Sequence, residues 1–328
     1  MMKLTDRPQI KNSVILVTGG AGFIGSHLVD KLLTLGASKV IVIDNMFTGD
    51  EANLDDAIAT GRCLLFKDDA ELATSLRYLV SQYKVDLAFN CATKALNYSF
   101  INPANAFDTN TTVTLNLLEL QREGLFKTLC HFSTSEVYGT AVYEPMDEQH
   151  PKNPTTTYAA GKAAADLAVE SYVRMFDIDA YIVRPFNNYG PRQNYKGYLA
   201  GIIPITAFRL LKGIAPEIHG SGEQTRDFIY VHDTVDAVVK LHDVLPTGES
   251  VNISTDNQIS VTDLIHRICR FFEYQKIVEK KPERKSDVLC HIASNEKVKG
   301  LIDYKLTPFE YGLNETLNWY KRRIGDQT

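Results

Sequence analysis

The sequence has little of what marks several protein classes. Its five cysteines, Cys63, Cys91, Cys130, Cys269 and Cys290, are odd in number, widely spaced and without a CxxC pair. That pattern argues against a disulfide framework or a zinc site and fits reduced thiols in a cytoplasmic protein. Cys63, Cys91 and Cys130 stand in or beside apolar strand-like runs and read as buried structural thiols. No histidine pair has metal-ligand spacing with supporting carboxylates, so no metal site is expected. No uninterrupted apolar run approaches the ~18 residues of a membrane span. The segment Met1 to Asn12 is polar and lacks a signal core. No basic block breaks a net charge of −5, which argues against nucleic acid or an anionic membrane as a partner. There is no internal repeat and no low-complexity segment.

What is present is an organised beginning. Val14 to Val17 form a continuous apolar run, β-branched at Val14, Ile15 and Val17, which suits a strand buried on both faces. Gly19, Gly22 and Gly25 follow at three-residue spacing. From Phe23 and Ile24 the apolar positions Leu28, Leu32 and Leu35 fit one face of a helix that stops at Gly36. Strand, glycine turn and helix are the context of a dinucleotide fingerprint. The glycines let backbone N–H groups approach a pyrophosphate, and the helix N-terminus favours its charge. A second strand, Lys39 to Ile43, ends in Asp44. A carboxylate there accepts hydrogen bonds from an adenosine ribose and repels a 2′-phosphate, which favours NAD over NADP.

Strand and helix patterns then alternate. Strands are expected at Cys63 to Lys67, Asp86 to Asn90, Thr128 to Ser133 and Ala180 to Val183. Helices are expected from about Ala70 to Gln82, Pro103 to Gln121 and Tyr158 to Phe176. Repeated βα units imply a parallel sheet covered on both faces. The second half is less regular. Ile202 to Lys212 reads as a helix, and Arg226 to Val231 and Val251 to Ile253 as strands. Ser260 with Asp263 forms a capping box, and Thr307, Pro308 and Glu310 suit another helix start. With 328 residues, 44% of them hydrophobic, and no flexible linker, the chain suits one unit or two joined domains around a cleft. Ligands of open parallel sheets sit at the C-terminal strand ends. Gly19 to Gly25, Asp44, Asp68, Ala92 to Leu96, Ser133 to Glu136 and Arg184 to Asn187 all fall there.

Tyr158 and Lys162 are four residues apart on a helix and share one face. A tyrosine is a poor base at neutral pH, and a nearby ammonium stabilises its phenolate. The pair suits proton removal from a hydroxyl whose carbon gives a hydride to NAD.

Together these pieces resemble the nucleotide-sugar epimerase/dehydratase group of the extended short-chain dehydrogenase/reductase family. The matching motifs are Thr18 to Gly25, Asp44-Asn45, Asn110, Ser133 to Gly139, Tyr158-x-x-x-Lys162, Arg184 to Arg192 and Thr225 to Val231, with a weaker match at Pro282-Glu283-Arg284. The resemblance implies a Rossmann-like doubly wound parallel α/β sheet with a smaller, mostly C-terminal α/β substrate domain. Residues 1–186 and about 226–255 would bind NAD, and about 187–225 and 256–328 the nucleotide sugar. Tyr158 would be the acid/base, Lys162 would hold the nicotinamide ribose and tune Tyr158, and Thr134 would hydrogen-bond the reacting sugar oxygen. Gly19, Gly22, Phe23, Ile24, Gly25, Asp44 and Asn45 would hold NAD, with Asp68 meeting the adenine. Asn187, Arg226 and Arg284 would contact the sugar diphosphate, Arg192 would also bind substrate, and Asn110 would support the backbone near the Tyr/Lys pair. Arg184, Arg192 and Arg284 are the cations available for a substrate carboxylate. Thr134 also suits a plain strand-end cap, and Arg284 a solvated arginine. Lys94, at a strand end where the family has small or uncharged groups, suits a hydrogen bond to substrate or a reach into solvent equally. The family implies a cytoplasmic homodimer built on the helices Pro103 to Gln121 and Tyr158 to Phe176.

The reaction turns on Thr134-Ser135-Glu136. Oxidation at C4 of the sugar acidifies the C5 proton, and Glu136 is the candidate base. Loss of a C6 group, with Ser135 where the family often has an Asp acid, gives a 4-keto-6-deoxy sugar. The leading expectation is a 4,6-dehydratase acting on a UDP-hexose such as UDP-N-acetylglucosamine. UDP-glucuronate decarboxylase and UDP-sugar 4-epimerase are the alternatives within the family. A non-catalytic NAD(H)-binding protein is the alternative of another class.

Overall fold

The computed structural model describes residues 7–282 and 292–325. In chain order the first half comprises β1 (Val14–Thr18), α1 (Phe23–Thr34), β2 (Lys39–Ile43), α2 (Asp55–Ala59), β3 (Cys63–Phe66), α3 (Ala73–Tyr83), β4 (Leu87–Asn90), α4 (Pro103–Arg122), β5 (Thr128–Phe132), α5 (Thr157–Phe176) and β6 (Asp179–Pro185). The second half comprises β7 (Asn187–Tyr189), α6 (Ile202–Leu211), β8 (Glu217–His219), β9 (Thr225–Arg226), β10 (Phe228–Tyr230), α7 (Val231–Val244), β11 (Ser250–Ile253), β12 (Ile259–Ser260), α8 (Val261–Phe271), β13 (Glu279–Lys281), α9 (Glu296–Leu301) and α10 (Phe309–Gly325).

Seven strands form one parallel sheet in the order β11-β6-β5-β4-β1-β2-β3. Its strands read as continuous apolar runs because both faces are covered. Ile15, Val17, Val40 and Val42 pack on one side with Leu28 and Leu32 of α1 and Val238 of α7. Leu16, Ile41 and Ile43 pack on the other with Leu79 of α3 and Val113 and Leu117 of α4. Strand order reverses between β1 and β4, which opens a crevice at their C-terminal ends. A separate core joins α6, α8 and α10 through Ile203, Leu264, Ile268, Leu313, Leu317 and Tyr320. The cysteines Cys63, Cys91, Cys130 and Cys269 are free thiols; Cys290 lies outside the described residues. No helix among the described residues is long and apolar enough to cross a membrane.

The second half departs from the sequence pattern in three places. The run Arg226 to Val231 is two short strands: β9 pairs antiparallel with β12, and β10 pairs parallel with β7. Between them Asp227 is fully buried, and its carboxylate accepts from the Thr255 and Asp256 N–H groups and the Thr255 hydroxyl. A buried carboxylate must be satisfied, and turning inward to those donors interrupts the strand. The Val-rich stretch from Val231 is the helix α7, since Val231, Val235, Val238 and Leu241 bury one helical stripe. Thr307 does not cap α10. Its N–H and hydroxyl both donate to the Asp233 carboxylate, at 2.7 Å each, and thereby tie α10 to α7. Ser260 does cap α8, accepting from the Asp263 N–H at 3.1 Å.

Candidate active site

A cavity of about 450 Å³ lies over the C-terminal ends of β1, β2, β4 and β5 and extends towards α6. Its floor is the glycine turn. Gly19 has φ +67°, and a Cβ there would sit 2.8 Å from the Ala92 backbone. At Gly25 a Cβ would sit 2.3 Å from the Gly19 carbonyl oxygen, so the first turn of α1 packs directly on the loop. The α1 N-terminus has no side-chain cap and no acid in its first turn. Gly22, Phe23, Ile24 and Gly25 line the cavity there, an arrangement that fits a pyrophosphate. Asp44 is buried, and its two oxygens accept from the Ala21 N–H at 3.0 Å and the Met46 N–H at 2.9 Å. Burial pushes its carboxyl upward against those hydrogen bonds. Asn45 donates to the Asp69 carboxylate at 2.9 Å, and both line the cavity.

The chemical end is built by β5 and α5. Thr156 caps α5 through the Ala159 N–H, at 3.2 Å, and aims Tyr158 and Lys162 into the cavity from the first turns. Gly161 lets α5 lie against α4, because a Cβ there would sit 2.6 Å from the Phe107 carbonyl oxygen. After β5 the Thr134 hydroxyl accepts from the Glu136 N–H at 3.3 Å and starts the 3-10 turn Ser135–Tyr138. The strand-end cap and the cavity-lining role of Thr134 therefore coexist. Ser133, Ser135 and Glu136 line the same wall.

Electrostatics separate the two central residues. Burial pushes the Tyr158 phenol up to about 12; Glu136 adds to the rise, and the hydroxyls of Thr134 and Thr93 oppose it. Burial pulls Lys162 down to about 8, opposed by Asp166 and then Cys91. The Lys162 ammonium donates to the Phe132 carbonyl at 2.8 Å. The interactions that move the Tyr158 phenol are thus with Thr134, Glu136 and Thr93 rather than with Lys162. Asn110 supports the site: its Oδ1 accepts from the Lys94 N–H at 3.1 Å and the Thr93 hydroxyl at 2.9 Å, while its Nδ2 donates to the Tyr158 carbonyl at 3.4 Å.

The remaining expected residues divide. Asn187 lines the cavity, with its Nδ2 donating to the Asp227 carbonyl at 3.4 Å. Lys94 is buried and lines the cavity too, its ammonium 4.1 Å from the Phe47 ring centre and 5.7 Å from that of Tyr98. Asp68 does not reach the cavity. It is exposed and turns back to accept from the Asp69 N–H at 2.8 Å, and Asp69 faces inward in its place. Arg192 is not at the cavity either; with φ +67° it swings to Asp30 on α1, at 2.6 Å. Arg226 lies outside the lining and donates to the Thr225 carbonyl at 2.9 Å. Arg284 lies outside the described residues. Arg184, at the end of β6, is held in a buried ion pair with Asp166 at 2.9 Å. Sequence reasoning missed Asp69, Thr93, Phe47 and Tyr98. For Thr93 the signal was its place beside Lys94 at a strand end; Phe47 and Tyr98 come from two separate loops that meet only in the folded chain.

A doubly wound parallel sheet, a glycine turn under an uncapped helix and a Tyr/Lys pair across the cleft define a dinucleotide-dependent enzyme of the short-chain dehydrogenase/reductase type. The model of the NAD dependent epimerase/dehydratase family matches residues 15–254, and the chain belongs to that family. It is 33% identical over 311 residues to a putative UDP-glucose 4-epimerase of Methanocaldococcus jannaschii, covering 94% of this chain and 98% of that one. It is 31% identical over 321 residues to UDP-glucuronic acid decarboxylase 1 of Danio rerio, covering 95% of this chain and 74% of that one. A crystal structure of a dTDP-glucose 4,6-dehydratase from Streptomyces venezuelae, solved with NAD bound, superposes with a TM-score of 0.90 at 29% identity, covering 95% of this chain and 98% of that one. The protein is an NAD-dependent enzyme of the nucleotide-sugar epimerase/dehydratase family.

Proposed function

We propose that the protein is a nucleotide-sugar 4,6-dehydratase acting on a UDP-hexose such as UDP-N-acetylglucosamine. The observation that carries this reading is Glu136. Its carboxylate lines the same wall as Thr134 and Tyr158 and acts electrostatically on the Tyr158 phenol. An acid/base at that place has work to do when a C–H bond beside a ketone is broken, and none in a simple C4 epimerisation.

The residues would act as follows. The α1 N-terminus and the glycine turn hold the cofactor pyrophosphate, Asp44 and Asn45 its adenosine ribose, Asp69 and Ala70 the adenine side, and Lys162 the nicotinamide ribose. NAD, when bound, supplies a hydride acceptor that returns the hydride later in the same cycle. Tyr158 receives the O4 proton, with Thr134 holding the same oxygen. Glu136 removes the C5 proton, and the Ser135 hydroxyl faces the departing C6 oxygen. Asn187 and Lys94 meet the sugar diphosphate. A phenol at about 12 is almost wholly protonated at pH 7, so Tyr158 must first give up its proton to solvent to act as the base.

A second reading rests on Lys94. A buried ammonium held by aromatic faces in the cleft also suits a sugar carboxylate, the group a UDP-glucuronate decarboxylase must hold. Incubation with UDP-N-acetylglucosamine, UDP-glucose, UDP-glucuronate and their dTDP and GDP counterparts in D2O separates the readings by product mass. Loss of water with one deuteron gained is the expected result, and Glu136→Gln should slow it by about 10²–10⁴-fold. Loss of CO2 from the glucuronate alone establishes the decarboxylase instead. An isomer of unchanged mass without deuterium leaves Glu136 without its role.

The outer faces of α4 and α5 expose Leu115, Leu167, Met175 and Phe176. A second copy of the chain covering them would give a homodimer. Light scattering on the eluted protein should return twice the monomer mass, and Leu167→Glu should return the monomer.

A further inference from the structure

Beneath the cleft a belt of polar side chains crosses the otherwise apolar sheet, buried from Thr18 to Tyr138 and Arg184 and part-exposed only at Ser250. Thr18 of β1 donates to Asn90 Oδ1 of β4 at 2.7 Å. Asn90 Nδ2 therefore faces His131 of β5 as a donor, 3.3 Å from Nδ1, which leaves the histidine proton on Nε2. His131 Nε2 lies 3.7 Å from Asp166 Oδ1, too far for a hydrogen bond, and neither atom has a hydrogen-bond partner. The other Asp166 oxygen accepts from Arg184 Nε at 3.0 Å and Nη2 at 2.9 Å. Arg184 continues to the Tyr138 hydroxyl at 3.1 Å and the Ser250 hydroxyl at 2.8 Å.

Such a belt costs free energy in a sheet interior wherever a member lacks a partner, as His131 Nε2 and Asp166 Oδ1 do. Its position names the task. Tyr158, Lys162 and Asp166 fall at successive four-residue steps on α5 and so share its inner face. We infer that Asp166, held in place by Arg184 and one helical turn from Lys162 on the same face, is the positioning residue that keeps the Lys162 ammonium charged. This rests on the reading of Lys162 as a residue that holds the cofactor.

The charged and titratable groups around Lys162 support the assignment. Asp166 on its own helix is the foremost group that raises it, and Cys91 at the end of β4 adds to this. His131 on β5 is held neutral by burial and by the charges of Lys162 and Arg184. Asp166 itself is reached by Arg184 from β6 and by Lys152, at 3.9 Å, from the segment before α5. Without the Asp166 carboxylate, burial acts on Lys162 against only the Cys91 thiol and the hydrogen bond to the Phe132 carbonyl. The ammonium would then give up its proton at neutral pH.

The test is the titration of Lys162 itself in protein labelled with 13C at lysine Cε, its signal assigned by loss in Lys162→Met. The wild-type midpoint should lie at about 8, and Asp166→Asn should lower it by about one pH unit or more. Asp166→Asn leaves Arg184 buried without its partner, so Asp166→Leu with Arg184→Met serves as the variant that keeps the core filled. It should also lower the midpoint, by less because a cation leaves with the carboxylate, and Asp166→Glu should restore it. An unmoved midpoint in the folded variants, with thermal stability alone reduced, overturns the inference and leaves the belt as scaffolding. The affinity of the NAD-free protein for NAD, measured calorimetrically from pH 6 to 9.5, should decline with the same midpoint in each variant. A midpoint that moves in Lys162 while NAD affinity does not follow upholds the role of Asp166 and removes Lys162 from the cofactor site.

Discussion

Arg7 offers a quantitative check on how the chain is fastened to the end of its sheet remote from the cleft. Its guanidinium makes a two-pronged contact with Asp179, at 2.8 and 2.6 Å, donates to the His242 and Leu245 carbonyls at 2.6 and 3.0 Å, and lies 4.7 Å from the Tyr181 ring centre. Both side chains of the pair are nearly inaccessible, at 3% and 2%. Arg7→Ala leaves a buried carboxylate with only the hydroxyls of Thr128 and Thr247, and two carbonyls without their donor. Removing one partner of such a pair costs about 3–5 kcal/mol. With an unfolding entropy of about 2.1 cal/mol/K per residue, that lowers the thermal midpoint of a chain this long by about 4–7 °C.

The sign of the pH dependence follows from Asp179. Burial raises its carboxyl, but Arg7 and the two threonine hydroxyls prevail, and the folded value lies below the ordinary one. The stabilisation is therefore present above the unfolded carboxyl range and is lost only as pH falls through the lower folded value. In Arg7→Ala burial regains ground, Asp179 protonates at higher pH and the buried charge is relieved. The gap between wild type and variant should thus narrow as pH falls from 7 towards 4. Calorimetric scans at fixed NAD concentration measure it, since bound cofactor shifts the midpoint by itself. A loss under about 0.5 kcal/mol at pH 7, the range of ordinary surface changes, would refute the reasoning.

Gly25→Ala places a Cβ 2.3 Å from the Gly19 carbonyl oxygen, so the purified variant should carry no NAD; unchanged cofactor content on extraction would contradict the packing described for the loop. Asp69→Ala should weaken NAD binding several-fold, whereas Asp68→Ala, at an exposed position that does not line the cavity, should leave it unchanged. Calorimetric titration of the two variants with NAD decides between the neighbouring acids, and the reverse order of effects would return the adenine contact to Asp68.

Much of the fold was legible before any coordinates. β2 matches its expected span, and β1, β4, α1, α4 and α5 match to within a residue or two. Local composition decides such elements. A strand covered on both faces must be apolar throughout, and a helix on a sheet must carry one apolar stripe, whatever the rest of the chain does. The glycine turn, Asp44 and the Tyr/Lys pair stand out in the sequence by their short spacings, and the fold brings them to one cavity.

What the tertiary structure decided lies between residues far apart in the chain. Asp68 and Asp69 are equivalent to any reading of composition; the turn after β3 sends one to solvent and the other to the cleft. Arg192 and Arg226 suited an anionic substrate by charge, but Asp30 on α1 takes the first, and the second stands outside the cavity. Asp227 split the expected strand into β9 and β10, because satisfying one buried carboxylate outweighed β-propensity, and α7 ended it at Val231. The belt from Thr18 to Arg184 joins β1, β4, β5, α5 and β6 across 166 residues of sequence. Sequence fixes which groups can carry charge or donate a hydrogen bond. Only the fold fixes which of them lose water, and with it the choice of partner.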